Sequence, residues 1–231
     1  MSRLDELTAG LVAVRGRITA AAAAAGRDPA QITLVAVTKT WPATDVRLLA
    51  GLGVTDVGEN RDQEAAPKHA ECAGLPLRWH FIGQVQRNKA ASIATYADVV
   101  HSVDRTVLVD ALDQHAGRLG RRITALVQVA LDDTTGRGGV PVAQVSAVAE
   151  AVASAGSLVL GGVMAVAPLA ADPDAAFERL ATVAAEVQRA HPEATVVSAG
   201  MSGDLDAAVR HGATHLRIGT ALLGHRSPTF G

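Results

Sequence analysis

Eight short runs rich in Val, Ile and Leu recur along this 231-residue chain, separated by longer Ala-rich stretches with helical spacing. This alternation constrains the fold more than any other feature, because a strand followed by a helix returns the next strand parallel to the first. The runs begin near Ile32, Val54, Arg78, Ala97, Ile123, Leu158, Thr195 and His215. Helix starts are marked by Pro42, Asp104, Pro141 and the Asp172-Pro173 pair. Eight units in a chain of this length predict an α/β fold, a single (β/α)8 TIM-type barrel, rather than an open doubly wound sheet. No linker interrupts the pattern, so residues 1–231 are expected to form a single domain. Leu4, Leu7, Leu11, Val14 and Ile18 stand at helical spacing, which predicts an extra amphipathic helix over residues 1–25. The most Gly-rich connection, DDTTGRGGV at residues 132–140, is expected to cross the barrel mouth.

Charge narrows the partners. Lys and Arg total 21 against 23 Asp and Glu, a formal charge of -2, so nothing favours nucleic acid or an anionic membrane. The single cysteine, Cys72, has no partner for an internal disulfide and no second thiol for a metal site, which fits a reducing, cytoplasmic setting. Apolar stretches are expected to fall short of a membrane span. Asp5 and Glu6 argue against a secretory signal or transit peptide at the N-terminus.

In barrels of this kind the site is built where strands end and the following loops begin. Those ends read Thr38 and Lys39; Gly58, Glu59 and Asn60; His80 and Gly83; His101 and Ser102; Asp132 and Asp133; Met164; SAGMSGD; and Arg217 to Thr220. After strands seven and eight, Ser202 with Gly203 and Gly219 with Thr220 are expected to open helices, where backbone N–H groups and hydroxyls attract an anion. They could equally be ordinary helix caps. Lys39 follows an apolar strand, so its stem is expected to be held in the barrel with the amine in the mouth; partial desolvation then gives the neutral amine that condenses with an aldehyde. A lysine leaving a strand for solvent is the alternative. Lys68 and Lys89, the other two lysines, stand in polar helical stretches and read as solvated.

A Schiff-base lysine and a phosphate cradle on one mouth describe a site for pyridoxal 5′-phosphate (PLP). Arg217 projects inward with the same strand parity as Gly219 and could donate to the pyridine nitrogen, leaving that nitrogen unprotonated. Alternatively it pairs with a mouth carboxylate such as Glu59.

Long ordered motifs then become recognisable: LVAVTKT around Lys39, VGENRDQE at 57–64, WHFIGQVQRNK at 79–89, HSVDR at 101–105, GGVMAV at 161–166 and GMSGDLDAAVRHGATHLRIGTALLG at 200–224. Over nearly its whole length the chain resembles the pyridoxal phosphate homeostasis protein family, single-domain relatives of the alanine racemase N-terminal barrel. The resemblance implies a covalent aldimine between PLP and Lys39, Asn60 beside the cofactor, Arg217 at the pyridine nitrogen, and phosphate contacts from Ser202, Gly219 and Thr220, with Met201 adding its backbone. His80 and Met164 are weaker candidates that core packing would also explain. Two positions depart from the family pattern. Arg61 stands where GENY is common, and Arg137 stands where the loop after strand five often carries a lysine; a guanidinium cannot form an imine there.

Alanine racemases set a tyrosine from a second, β-rich domain against the Schiff-base lysine. The only tyrosine here, Tyr96, precedes strand four and is expected at the opposite end of the barrel from Lys39. With no catalytic residue beyond the cofactor lysine, the expectation is a monomeric PLP-binding protein of vitamin B6 homeostasis that could deliver PLP to apo-enzymes. The alternatives are a weak one-base amino-acid racemase, and a barrel that binds another phosphorylated metabolite with Lys39 as counter-ion.

Overall fold

The computed structural model describes residues 1–132, 138–168 and 171–224. Its centre is a closed parallel barrel of eight strands in sequential order: β1 Thr33–Val37, β2 Asp56–Glu59, β3 Arg78–Phe81, β4 Val99–Val103, β5 Ile123–Gln128, β6 Leu158–Met164, β7 Val196–Ser198 and β8 His215–Ile218. The shell consists of α1 Arg3–Ala24, α2 Ala43–Gly51, α3 Asp62–Glu71, α4 Ala90–Tyr96, α5 Thr106–Arg118, α6 Val145–Ala153, α7 Pro173–Ala190, α8 Leu205–Arg210 and α9 Thr220–Leu223. The barrel read from the sequence is therefore present, with strands one, two, four and seven beginning one or two residues later than their apolar runs. Arg137 and Asp133 lie outside the described residues, as does most of the Gly-rich connection.

The main core lies between the strands and the helical shell, where outward-facing residues such as Val57, Phe81, Val100 and Ile218 meet the buried stripes of the helices. Inside the barrel a second, small cluster of Val99, Leu126 and Met164 packs with Val196. Met164 is thus lumen packing. The strand geometry explains GGVMAV: the β5–β6 register shifts between Ala125 and Leu126, and Gly162 adopts φ 142° there. A Cβ at Gly162 would sit 2.0 Å from the Val196 carbonyl oxygen, so no other residue fits this bulge.

Helix α1 begins with a reciprocal capping box between Ser2 and Asp5 and buries Leu7, Leu11, Val14 and Ile18. Leu4, expected in that stripe, remains exposed. Contrary to the expectation that no segment reaches spanning length, α1 is long and apolar enough to cross a membrane by length and composition alone. Here its apolar stripe is packed against α8 and α9. Its arginines also hold the barrel's last loops. Arg3 donates to Asp45 and to the Leu223 carbonyl, and Arg17 donates to the Ser202 carbonyl at 2.7 Å and pairs with Asp206.

Candidate functional site at the barrel mouth

Strand pairing brings the expected residues together. Val35 lies opposite Arg217 in β8 and Val37 lies opposite Gly58 in β2, so the segments after β8, β1 and β2 emerge side by side. Gly219 and Thr220, Lys39, and Asn60 are consequently neighbours on one rim. A Cβ built on Gly219 would contact Val37 at 3.4 Å, which places the turn before α9 directly beside the end of β1. The loop after β7 joins them, because the Ala221 N–H at the start of α9 donates to Ser202 Oγ at 3.3 Å. Gly83 admits the β2 loop. A Cβ there would lie 2.0 Å from the Asn60 carbonyl oxygen.

Two details of the anion cradle differ from the sequence expectation. Asp204, not Ser202, caps α8, and Ser202 lies in the preceding turn. The Met201 N–H, expected to face a phosphate, donates to Asp204 Oδ1 at 2.6 Å. Gly219 caps α9 without a side-chain hydrogen bond; in that first turn the Ala221 N–H donates to Ser202 Oγ and the Leu222 N–H to the Gly219 carbonyl, which leaves the Thr220 N–H to face an anion.

Lys39 stands in the turn that follows β1 and is exposed. The expectation of a stem held in the barrel is not met, because β1 ends at Val37 and the chain has already turned outward at residue 39. The turn itself is tightly specified. Thr40 has φ 67°, the only positive φ outside glycine among the described residues, and its N–H donates to Glu64 Oε2 at 3.0 Å. A β-branched residue in the left-handed region is a strained choice that persists only where surrounding contacts enforce it.

Lys68 supplies part of that enforcement, contrary to its reading as a solvated lysine. It is buried, donates to the Thr38 carbonyl at 2.8 Å and pairs with Glu59 Oε1 at 2.6 Å. Helix α3 is polar overall, but its inner face lies on β2, and a lysine there must find a carboxylate. Thr38 Oγ1 also donates to Glu59 Oε1, while Glu59 Oε2 has no hydrogen-bond partner among the described residues. Burial pushes the Glu59 carboxyl above its usual range, and Lys68 opposes the push. Lys89 remains at the surface, its ammonium 3.7 Å from Asp62, and Arg61 is exposed beside Glu64.

Arg217 is buried inside the lumen. Its NH1 donates to Ser198 Oγ at 2.6 Å and its NH2 to the Ala165 carbonyl at 2.8 Å. Glu59 is committed to Lys68, so the alternative of an Arg217–Glu59 pair does not occur. Among the described residues no carboxylate lies within ion-pair distance of this guanidinium, and burial draws it down to about 10 against the more distant attraction of Asp204. A buried cation held only by neutral acceptors fits a ligand with an acceptor atom at the mouth.

Sequence inspection missed the groups behind Arg217. Ser198 Oγ contacts His101 Nδ1 at 2.9 Å, His101 Nε2 contacts His80 Nδ1 at 2.8 Å, and His80 Nε2 contacts Asp56 Oδ1 at 2.9 Å. The strands concerned are not all neighbours, so the chain of contacts crosses the lumen. The available signal is strand parity at polar residues; His80 and His101 stand in the strand-end series, but nothing in the sequence joins them. Tyr96 is buried in the helical shell, where its ring neighbours His69 and its hydroxyl lies 3.4 Å from Asp62.

Residues 11–227 match the family model described as alanine racemase, N-terminal domain. The pyridoxal phosphate homeostasis protein of Mycobacterium tuberculosis is 45% identical, over 97% of this chain and 94% of its own. That of Pseudomonas aeruginosa is 40% identical, over 96% and 97%. Among solved structures, PipY of Synechococcus elongatus with PLP bound superposes with a TM-score of 0.79 at 37% identity, covering 90% of this chain and 100% of that one.

Proposed function

This chain belongs to the pyridoxal phosphate homeostasis protein family, and from that premise we propose that it binds PLP at the barrel mouth as a carrier in intracellular vitamin B6 homeostasis. The whole barrel, residues 1–231, acts as one PLP-binding domain. In this reading the Lys39 amine condenses with the PLP aldehyde, releasing water, and Arg217 donates to the pyridine nitrogen. Ser202, Gly219 and Thr220 receive the phosphate. Asn60 flanks the ring from the β2 loop, and Met201 contributes only if Asp204 releases its N–H. PLP supplies an aldehyde that captures amines and a ring that withdraws electrons from them.

The observation that carries the reading is Arg217: a guanidinium buried in the lumen, bonded to Ser198 Oγ and the Ala165 carbonyl, with no carboxylate at ion-pair distance among the described residues. An unprotonated pyridine nitrogen completes its coordination without adding a second buried charge. A carrier also suits the exposure of Lys39, which allows the aldehyde to be captured and given up to water or another amine. Racemisation has less support, because Tyr96, the only tyrosine, is committed to the helical shell. The reading places the protein in the cytoplasm as a monomer, with apo PLP-enzymes as recipients. Its test is to load the protein with PLP, mix it with an apo-enzyme and follow activation. Activation faster than PLP release from a closed PLP-enzyme supports the carrier; failure to bind PLP, or slower release, overturns it.

A further inference from the structure

The hydrogen bonds from Arg217 to Asp56 have a fixed sense. A guanidinium only donates, so Ser198 Oγ must accept from NH1. Burial keeps both the His80 and His101 rings neutral. Asp56 is ionised: burial pushes its carboxyl up, but hydrogen bonds from His80 and Thr55 outweigh this and hold it below the usual range. It therefore accepts from both partners, with Thr55 Oγ1 at 2.6 Å from Oδ2. His80 accordingly carries its proton on Nε2 and accepts at Nδ1 from His101 Nε2–H. His101 Nδ1 is left to accept the Ser198 hydroxyl proton. One assignment satisfies every contact. The reverse sense would require a protonated Asp56.

The far end of this line is not sealed. Asp56 lies at the start of β2, the pole opposite the mouth, where it lines a cavity of about 370 Å³ with Arg15, Thr19, Thr33 and Thr55. An acid in contact with that cavity retains its charge more cheaply than one deep in the lumen. The arrangement separates a cation at one end of the barrel from its anion at the other and joins them through three neutral side chains.

We propose that Asp56, His80, His101 and Ser198 are positioning residues for Arg217: their one-way line of donors fixes the guanidinium and holds it as a donor toward the ring nitrogen of PLP. The inference rests on the PLP reading of the mouth. It adds that the electronic state of the bound cofactor is set in part from the opposite pole, by residues that never touch it.

Two measurements test it. In the PLP-free protein, ¹⁵N NMR of labelled histidines should show His80 and His101 each as the Nε2–H tautomer; an Nδ1–H tautomer at either ring would overturn the line. In the PLP-loaded protein, Asp56→Asn and His101→Phe should shift the cofactor's absorption in the same direction as Arg217→Met and speed PLP release about 2- to 30-fold. His80→Gln, which accepts through its carbonyl and donates through its amide, should retain much of the wild-type spectrum. If the wild type loads normally while Asp56→Asn and His101→Phe lose stability with an unaltered cofactor spectrum, the residues are structural and the inference fails alone. A wild type that shows no bound-cofactor spectrum defeats the reading of the mouth itself, and the tautomers then still decide whether the line exists.

Discussion

The ammonium of Lys68 donates to the carbonyl of Thr38 at 2.8 Å, so a buried cation on α3 holds the residue that immediately precedes Lys39. The same ammonium neutralises Glu59, and the pair ties α3 to the ends of both β1 and β2. Lys39 thus owes its placement to another lysine, which is buried in the protein interior.

Lys68→Met leaves the Glu59 carboxylate buried without its cation and is expected to destabilise the fold by about 3–5 kcal/mol, the usual result of breaking one side of a buried pair. Adding Glu59→Leu to that variant should restore most of the loss. Urea denaturation of the two single variants and the double variant measures the coupling; strictly additive losses would show that the pair is not a unit.

Thr40→Gly removes a left-handed threonine at a strain cost of roughly 1–2 kcal/mol and adds back about 0.5–1 kcal/mol of chain entropy. The variant is expected to capture PLP more slowly, because the Lys39 turn is less restricted. Stability and capture rate are read from denaturation and stopped-flow absorbance. A loss of more than about 1 kcal/mol would mean that the threonine side chain contributes more than its strain costs.

Arg17→Ala removes an exposed pair with Asp206 together with the bond to the Ser202 carbonyl. An exposed pair contributes less than about 1 kcal/mol, so the melting temperature should hardly move. Release of PLP should nevertheless quicken, while release of the phosphate-free aldehyde pyridoxal should not. Equal effects on both ligands would place the disturbance away from the phosphate.

Acid should destabilise the protein earlier than its carboxylates alone would. Burial lowers His80 and His101, and lowers His215 to about 4, so below the ordinary histidine range of about 6.5 the unfolded chain binds protons that the folded chain refuses. The stabilisation is complete above pH ~6.5 and is lost as pH falls through the window toward 4. His215 removes up to about 1.4 kcal/mol per pH unit there, and His80 and His101 act in the same direction. Denaturant midpoints at pH 7.5 and pH 5.5 should differ clearly; equal midpoints would mean that these rings are charged in the native state.

The barrel was legible in the sequence because its signal is repeated: eight apolar runs, each followed by a helical stretch, leave few topologies, and one misplaced boundary does not alter them. The mouth was legible for a similar reason, since strand ends are defined by the runs themselves. Lys68 was misread because a lysine among polar neighbours has the composition of a solvated helix, and the carboxylate that justifies its burial is supplied by another strand nine residues earlier. The Asp56–His80–His101–Ser198–Arg217 line was hidden because its links join β2, β3, β4, β7 and β8 across the lumen, and sequence spacing carries no information about contacts through a barrel's interior. Lys39 does stand at the C-terminal end of β1 but is less buried than the sequence suggests, since an apolar run does not show where the strand stops and the turn begins.

The most direct test of the account is to incubate the protein with PLP, reduce with borohydride and map the labelled peptide, with Lys39→Ala in parallel. The account predicts one pyridoxyl group on Lys39, a visible absorption band that reduction abolishes, and neither in the variant. A label on Lys68, Lys89 or the chain terminus, or an unchanged band in Lys39→Ala, would contradict it.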